Sequence, residues 1–158
     1  MKNRFLANLI LTFIWVALTG TFTFPNMIFG FFLSYFLLYI ITRGRRRAKY
    51  FRLVPKVILF FLYFIKELLK ANIQVAWEVA TPKLHMTPGI VGIPLDITSD
   101  AEITMLANLI TLTPGTLSLD ISEDKKVLYV HSMYIKDKEE FIRGIKDGFE
   151  KRIIEITS

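Results

Sequence analysis

No cysteine occurs among the 158 residues. That excludes a disulfide framework, a thiol nucleophile and a thiolate metal site, and it fits a cytosol-facing domain. Histidine is nearly absent: His85 and His131 stand far apart, so nothing has the spacing of a metal-ligand cluster. No glycine-rich phosphate loop and no serine nucleophile motif is present, and no cofactor is expected. The most consequential absence is of charge. Between Arg4 and Arg43 there is not one charged side chain. A bilayer core takes about 20 helical residues per crossing, so this gap is too long for one pass and right for two. Phe24-Pro25-Asn26 sits mid-gap and supplies the expected break, since proline disfavours helix at the preceding residue and Pro-Asn suits a turn. The pattern predicts membrane helices over residues 5–23 and 27–42.

Acidic residues are scarce in the first half. Residues 1–89 carry twelve basic against two acidic side chains, and residues 90–158 carry eight against twelve, so the net +6 divides as +10 and −4. The basic residues flank apolar spans and are not spread over a soluble face, which argues against nucleic acid as a partner. Lys2 and Arg4 precede the first span, and Arg43, Arg45, Arg46, Arg47 and Lys49 follow the second. Basic flanks stay cytoplasmic, so both ends of the hairpin are expected inside, with the cluster against anionic lipid headgroups. A cleaved leader is disfavoured: the apolar stretch is long, Thr19-Gly20-Thr21 is a poor cleavage site, and a second span follows at once.

Residues 55–80 have helical character. As a third crossing they would place Lys66, Glu67 and Lys70 near the midplane, at about 3 kcal/mol each, or about 9 in all. A dozen large apolar residues return only about 4 to 7 kcal/mol. Glu67, Lys70, Gln74 and Glu78 recur on one face, and Leu68, Leu69, Ile73, Val75, Ala76 and Trp77 lie opposite. The expectation is an amphipathic helix at the membrane interface or on a partner's flank, over a third crossing buried among other helices.

After a loop with Pro82 and Pro88-Gly89, residues 90–97 read as a strand. Ser99-Asp100-Ala101-Glu102 is a capping-box pattern before a helix with Ile103, Leu106, Ala107 and Ile110 inward. Thr113-Pro114-Gly115-Thr116 has the residues of a type II turn. Strands over 116–121 and 127–135 follow, joined by a polar hairpin. Asp137 is expected to cap a last helix burying Ile142, Ile145, Phe149, Ile153 and Ile156. The whole is expected to be a membrane protein: a two-helix transmembrane hairpin with its basic flank (1–53), an amphipathic helix and linker (54–89), and a small cytoplasmic α+β domain of order β-α-β-β-α (90–158). A sheet this small has a marginal core and is expected to lean on another element.

A transporter hands ions along ionisable groups, and the two spans contain no charged one. Asn8, Thr12, Thr19, Ser34, Tyr35 and Tyr39 are expected to bridge helices rather than line a path. His131 lies mid-strand and is expected to be a hydrogen-bonded core residue, with Asp120 as a partner in a pH-sensitive contact.

The run from Ala107 to Asp120, ANLITLTPGTLSLD, resembles the signature of the small E-type subunits of Mrp-type multisubunit sodium/proton antiporters. Leu128-Tyr129-Val130-His131 and Lys66-Glu67-Leu68-Leu69-Lys70-Ala71-Asn72 are similar to the same family, and the resemblance extends over essentially the whole chain. It implies an accessory, non-catalytic subunit of a membrane hetero-oligomer that exchanges Na⁺ for H⁺, or a related subunit of a hydrogenase-type respiratory complex. No catalytic residue is implied. Thr111, Thr113, Pro114, Gly115, Thr116, Asp120 and His131 are the candidate signature residues, to be read as a structural corner or as a docking surface. Two other classes compete: a membrane-anchored enzyme relying on Asp120 and His131, and a homo-oligomeric channel lined by Asn8, Thr12 and Ser34.

Overall fold

The structure, a computed structural model, describes residues 2–41, 49–82 and 86–157. Helix α1 (Lys2–Thr19) ends at Gly20, whose φ of +65° takes the left-handed form that stops helices. Helix α2 (Phe24–Ile41) begins at Phe24, so Pro25 and Asn26 lie in its first turn and not in the connection. The break expected at Phe24-Pro25-Asn26 is therefore corrected to residues 20–23. Proline is well suited to a first helical turn, where its missing N–H is no loss. Asn26 ties the turn, donating to Thr19 Oγ1 and to the Thr21 carbonyl and hydroxyl, and accepting from Trp15 Nε1 at 3.1 Å. By length and composition α2 can cross a membrane; the apolar part of α1, Arg4–Thr19, is shorter.

Helix α3 (Lys49–Ala80) runs 32 residues and contains Pro55. The chain divides into two compact units after that proline, Met1–Pro55 and Lys56–Ser158. Proline cannot donate to the carbonyl four residues back, which leaves the Phe51 carbonyl without its helical partner. The Tyr35 hydroxyl of α2 donates to it at 3.1 Å. Asn8, fully buried on α1, donates to the Tyr50 hydroxyl at 2.7 Å. Thr12 and Thr19 donate instead to carbonyls of their own helix, Asn8 and Val16. These polar groups of the hairpin are thus turned to intrachain bonds.

In the second unit, β1 (Gly89–Pro94), β2 (Thr116–Ile121) and β3 (Val127–Ser132) form an antiparallel sheet of order β1-β3-β2. Helix α4 (Asp100–Leu112) links β1 to β2, with Glu102 accepting from the Ser99 N–H as the capping box requires. Asp137 accepts from Glu140 N–H at 2.8 Å and opens α5 (Lys138–Ile145), which continues through a π turn (Lys146–Glu150) into α6 (Lys151–Thr157). Val91, Ile93, Leu106, Ile110, Val130 and Ile153 fill the core, and Phe60, Tyr63 and Phe64 of α3 pack into it. Mostly helical, with this small sheet at its C-terminal end, the chain has the coarse architecture its residues predict.

β1 stops at Pro94, short of the expected strand end. Glu150, 1% exposed, accepts from the N–H groups of Asp96 and Ile97 and draws the chain away from the sheet. Lys146 balances it, 3.4 Å from Glu150 and 2.9 Å from Asp96. Burial would lower the Lys146 pKa, but the hydrogen bond to Asp96 and the fields of Glu150 and Asp96 prevail, and it rises above its ordinary 10.5.

Two outcomes test this account. Tyr35→Phe strands the Phe51 carbonyl and should cost about 1 kcal/mol, read as a lower melting temperature of the full chain in detergent. A raised lysine pKa gives stability that is complete below the unfolded value and lost as pH climbs through the folded one. The stability gap between wild type and Lys146→Met should therefore be constant up to about pH 10 and shrink above it, measured by denaturation at a series of pH values.

Candidate functional site: the Thr-Pro-Gly corner and its cavity

Five of the signature residues meet where α4 turns into β2. The Thr113 carbonyl accepts from the Thr116 N–H at 3.1 Å, and Gly115, at φ +86°, occupies the third turn position, as a type II turn demands. The last carbonyls of a helix lack intrahelical donors, and here hydroxyls supply them. Thr113 Oγ1 donates to Leu109 O at 2.9 Å, Thr116 Oγ1 to Ile110 O at 2.5 Å and to Thr113 O at 2.8 Å. Ser118 Oγ donates to Ala107 O at 3.0 Å, and Thr111 Oγ1 accepts from the Ser118 N–H at 3.2 Å. The Gly115 carbonyl accepts from Met133 N–H, and a Cβ on Gly115 would lie 3.0 Å from the Tyr134 ring. Glycine is thus required by conformation and by close approach.

Asp120 and His131 do not join this corner, nor each other. β2 carries a bulge between Ser118 and Asp120, which sets Asp120 opposite Tyr129 and Ile121 opposite Leu128. Without that extra residue Asp120 would face the core; with it, the carboxylate is exposed and accepts from the Ile121 N–H. His131 is opposite Leu117 on one side and Ile90 on the other. Leu128, Val130 and Ser132 are buried, so the alternation of β3 puts His131 on the outer face, half-buried. The core histidine and its Asp120 contact are corrected accordingly. Among the described residues no group of three His, Asp or Glu could hold a metal ion. Arg43, Arg45, Arg46, Arg47, Lys83 and His85 lie outside the described residues, and Lys49 opens α3.

Beside the corner is a cavity of about 370 Å³. Thr113, Pro114 and Thr116 form one wall, Phe141, Gly144 and Phe149 another, and Tyr63, Glu67, Lys70 and Gln74 of α3 the third. Glu67, Lys70 and Gln74 of the polar stripe thus line a cavity of their own domain, and Glu78 farther along α3 is 7% exposed. The opposite stripe is exposed and apolar: Leu69, Ile73 and Trp77 are at least half open. Tyr134 lines the cavity, and its hydroxyl is buried with no hydrogen-bond partner among the described residues. Nothing in the sequence pattern singles out Glu150, Tyr63 or Tyr134. Glu150 is hidden because the π turn adds a residue to its helical turn and rotates a side chain out of the regular 3.6 phase.

The corner predicts a graded series. Thr116→Val keeps shape and loses two hydrogen bonds, costing about 1 to 2 kcal/mol. Gly115→Ala adds backbone strain of about 1 to 2 kcal/mol and displaces Tyr134. Both should lower the melting temperature of the full chain, with Gly115→Ala the worse, while Asp120→Asn should leave it nearly unchanged.

The family described as Na⁺/H⁺ ion antiporter subunit matches residues 8–156. The chain is 40% identical to the E subunit of the Na⁺/H⁺ antiporter of Alkalihalophilus pseudofirmus and 41% identical to that of Bacillus subtilis, over 99% of each chain in both cases. Among solved structures, it is similar to a chain of the Mrp complex from Dietzia (31% identity, TM-score 0.50, covering 65% of this chain and 96% of that one). It is also similar, over 99% of both chains, to one from an archaeal membrane-bound sulfane sulfur reductase, a respiratory membrane complex (28% identity, TM-score 0.59). Matched over residues 8–156 by that family, and 40 to 41% identical over 99% of its length to the two bacterial E subunits, the chain belongs to the family of Na⁺/H⁺ antiporter E subunits.

Proposed function

We propose that this chain is an accessory, non-catalytic subunit of a multisubunit sodium/proton antiporter, supporting the assembly or stability of the complex. One observation carries the reading: no charged side chain lies between Arg4 and Arg43, in a chain alike over its whole length to antiporter subunits. Ions crossing a bilayer need ionisable or well-ordered polar relays. Asn8 and Tyr35 are instead engaged with Tyr50 and the Phe51 carbonyl. The ion path belongs to neighbouring subunits. The higher identity to antiporter subunits, against 28% to the sulfur reductase chain, supports the antiporter over the respiratory assembly.

In this reading residues 1–53 form a transmembrane hairpin whose two ends face the cytoplasm, with the turn at 20–23 outside. Arg43, Arg45, Arg46, Arg47 and Lys49 contact anionic headgroups. Residues 54–89 contribute most of α3 and its linker, and residues 90–158 a cytoplasmic domain. The exposed Leu69, Ile73 and Trp77 stripe lies in the membrane interface or against a neighbouring subunit. The signature residues Thr111, Thr113, Pro114, Gly115 and Thr116 act as a structural corner, since their polar groups are consumed internally. Asp120 and His131 are left on the outer face of the sheet, exposed and half-buried respectively, where a partner reaches them.

The cysteine-free chain makes the topology directly testable. With a membrane-impermeant thiol reagent on intact cells, Thr23→Cys should label and Glu123→Cys should label only after lysis; labelling of Glu123→Cys in intact cells overturns the orientation. A tagged chain should co-purify with other membrane subunits, and its deletion should abolish antiport in membrane vesicles or the assembly of the complex. A chain that purifies alone while antiport persists without it contradicts the accessory role.

A further inference from the structure

A second cavity of the Lys56–Ser158 unit, about 390 Å³, opens between α3 and the last helix. Its apolar lining comprises Leu59, Phe60 and Ile156 together with Tyr63, and it carries three cations: Lys56, Lys151 and Arg152. Arg152 is half-buried and held in place. Its guanidinium lies 3.8 Å over the Tyr63 ring, and Nη1 donates to the Asp147 and Gly148 carbonyls at 2.9 and 2.8 Å. Those carbonyls belong to the π turn, a widened turn of the kind found at functional sites. Gly148 makes the approach feasible, since a Cβ there would lie 2.5 Å from the Tyr63 hydroxyl. Lys56 donates to the Glu155 carbonyl at 3.0 Å near the end of α6, and Lys151 is exposed. Among the described residues, the ion pairs of this unit form elsewhere, at Lys66, Lys125, Arg143 and Lys146.

An arginine fixed in place, with lysines and apolar side chains in the same lining, has the chemistry that takes a phosphate ester. Two carboxylates, Asp147 and Glu155, share the lining and bring its formal charge to +1. That balance disfavours a polyanion. It suits a single phosphodiester whose head carries its own donors, which the carboxylates then accept. We propose that this groove binds the phosphodiester headgroup of a phospholipid bearing hydroxyl or ammonium donors, of the phosphatidylglycerol type, with the first acyl carbons over Leu59 and Ile156. The inference rests on the membrane reading above, because Lys56 falls in the second turn of α3, where the chain leaves the proposed hairpin.

The test uses the full chain in detergent, with native mass spectrometry and titration of dioctanoyl-phosphatidylglycerol, dioctanoyl-phosphatidylcholine and inorganic phosphate. Phosphatidylglycerol should bind saturably and about tenfold more tightly than phosphatidylcholine, whose head has no donors. Lys151→Ser should weaken it about tenfold, and so should Arg152→Lys, which keeps charge and loses the fork. If Arg152→Lys fails to fold, Lys151→Ser decides alone, being exposed. The triple variant Arg45→Gln, Arg46→Gln, Arg47→Gln should keep the saturable step. Equal binding of the two lipids, loss of the step in the triple variant but not in Lys151→Ser, or full displacement by inorganic phosphate would each overturn the assignment. Co-purification with other subunits is scored separately in Lys151→Ser, so failure of the accessory role and failure of the lipid site give different results.

Discussion

Helix α3 carries the constraint on which the rest of the second unit depends, because a three-stranded sheet with one layer of helices is too small to bury a sufficient core by itself. Phe60, Tyr63 and Phe64 add the missing apolar volume to Ile93, Leu106, Val130 and Ile153. Turning that face inward has two consequences. The polar stripe holding Glu67, Lys70 and Gln74 is brought against the signature corner and lines a cavity. The other stripe, with Leu69, Ile73 and Trp77, is left exposed, in the pattern of a helix meant for a membrane surface or a neighbour.

Many polar atoms along the chain are disposed of by the same rule: a group that cannot reach water is given an internal partner. Pro55 removes a donor from α3, and Tyr35 replaces it at the Phe51 carbonyl. The end of α4 leaves carbonyls open, and Thr113 and Thr116 donate to them. The chain after β1 leaves its sheet, and buried Glu150 takes the freed Asp96 and Ile97 N–H groups while Lys146 offsets its charge. Such saturation commits the hydroxyls of Thr111, Thr113 and Thr116 to internal hydrogen bonds.

Much of this is legible in the residues. The capping box at Ser99 and Glu102, the Asp137 cap and the type II turn at Thr113 to Thr116 are local signals, and each is realised. The departures are equally instructive. Pro25 marks the start of α2 and not its break, because a proline is as comfortable in a first helical turn as in a loop, and Gly20 is the true stop. His131 sits outside the core, as its own alternation with Leu128, Val130 and Ser132 requires once the buried face of β3 is known. The expected Asp120 contact does not form because strand register, shifted by a bulge, is a property of two strands and not of one.

By itself, then, the sequence determined what depends on local pattern: two apolar helices with no charge between Arg4 and Arg43, an amphipathic third, a β-α-β-β-α domain, and a family resemblance carried by several short runs. Only the tertiary structure decided which faces met. The burial of Glu150 through a π turn, the fixing of Arg152 over Tyr63, and the outward turn of Asp120 all arise between segments far apart in the chain. Side chains that distant are brought together by packing, and packing is set by the summed fit of many surfaces, which no window of neighbouring residues contains.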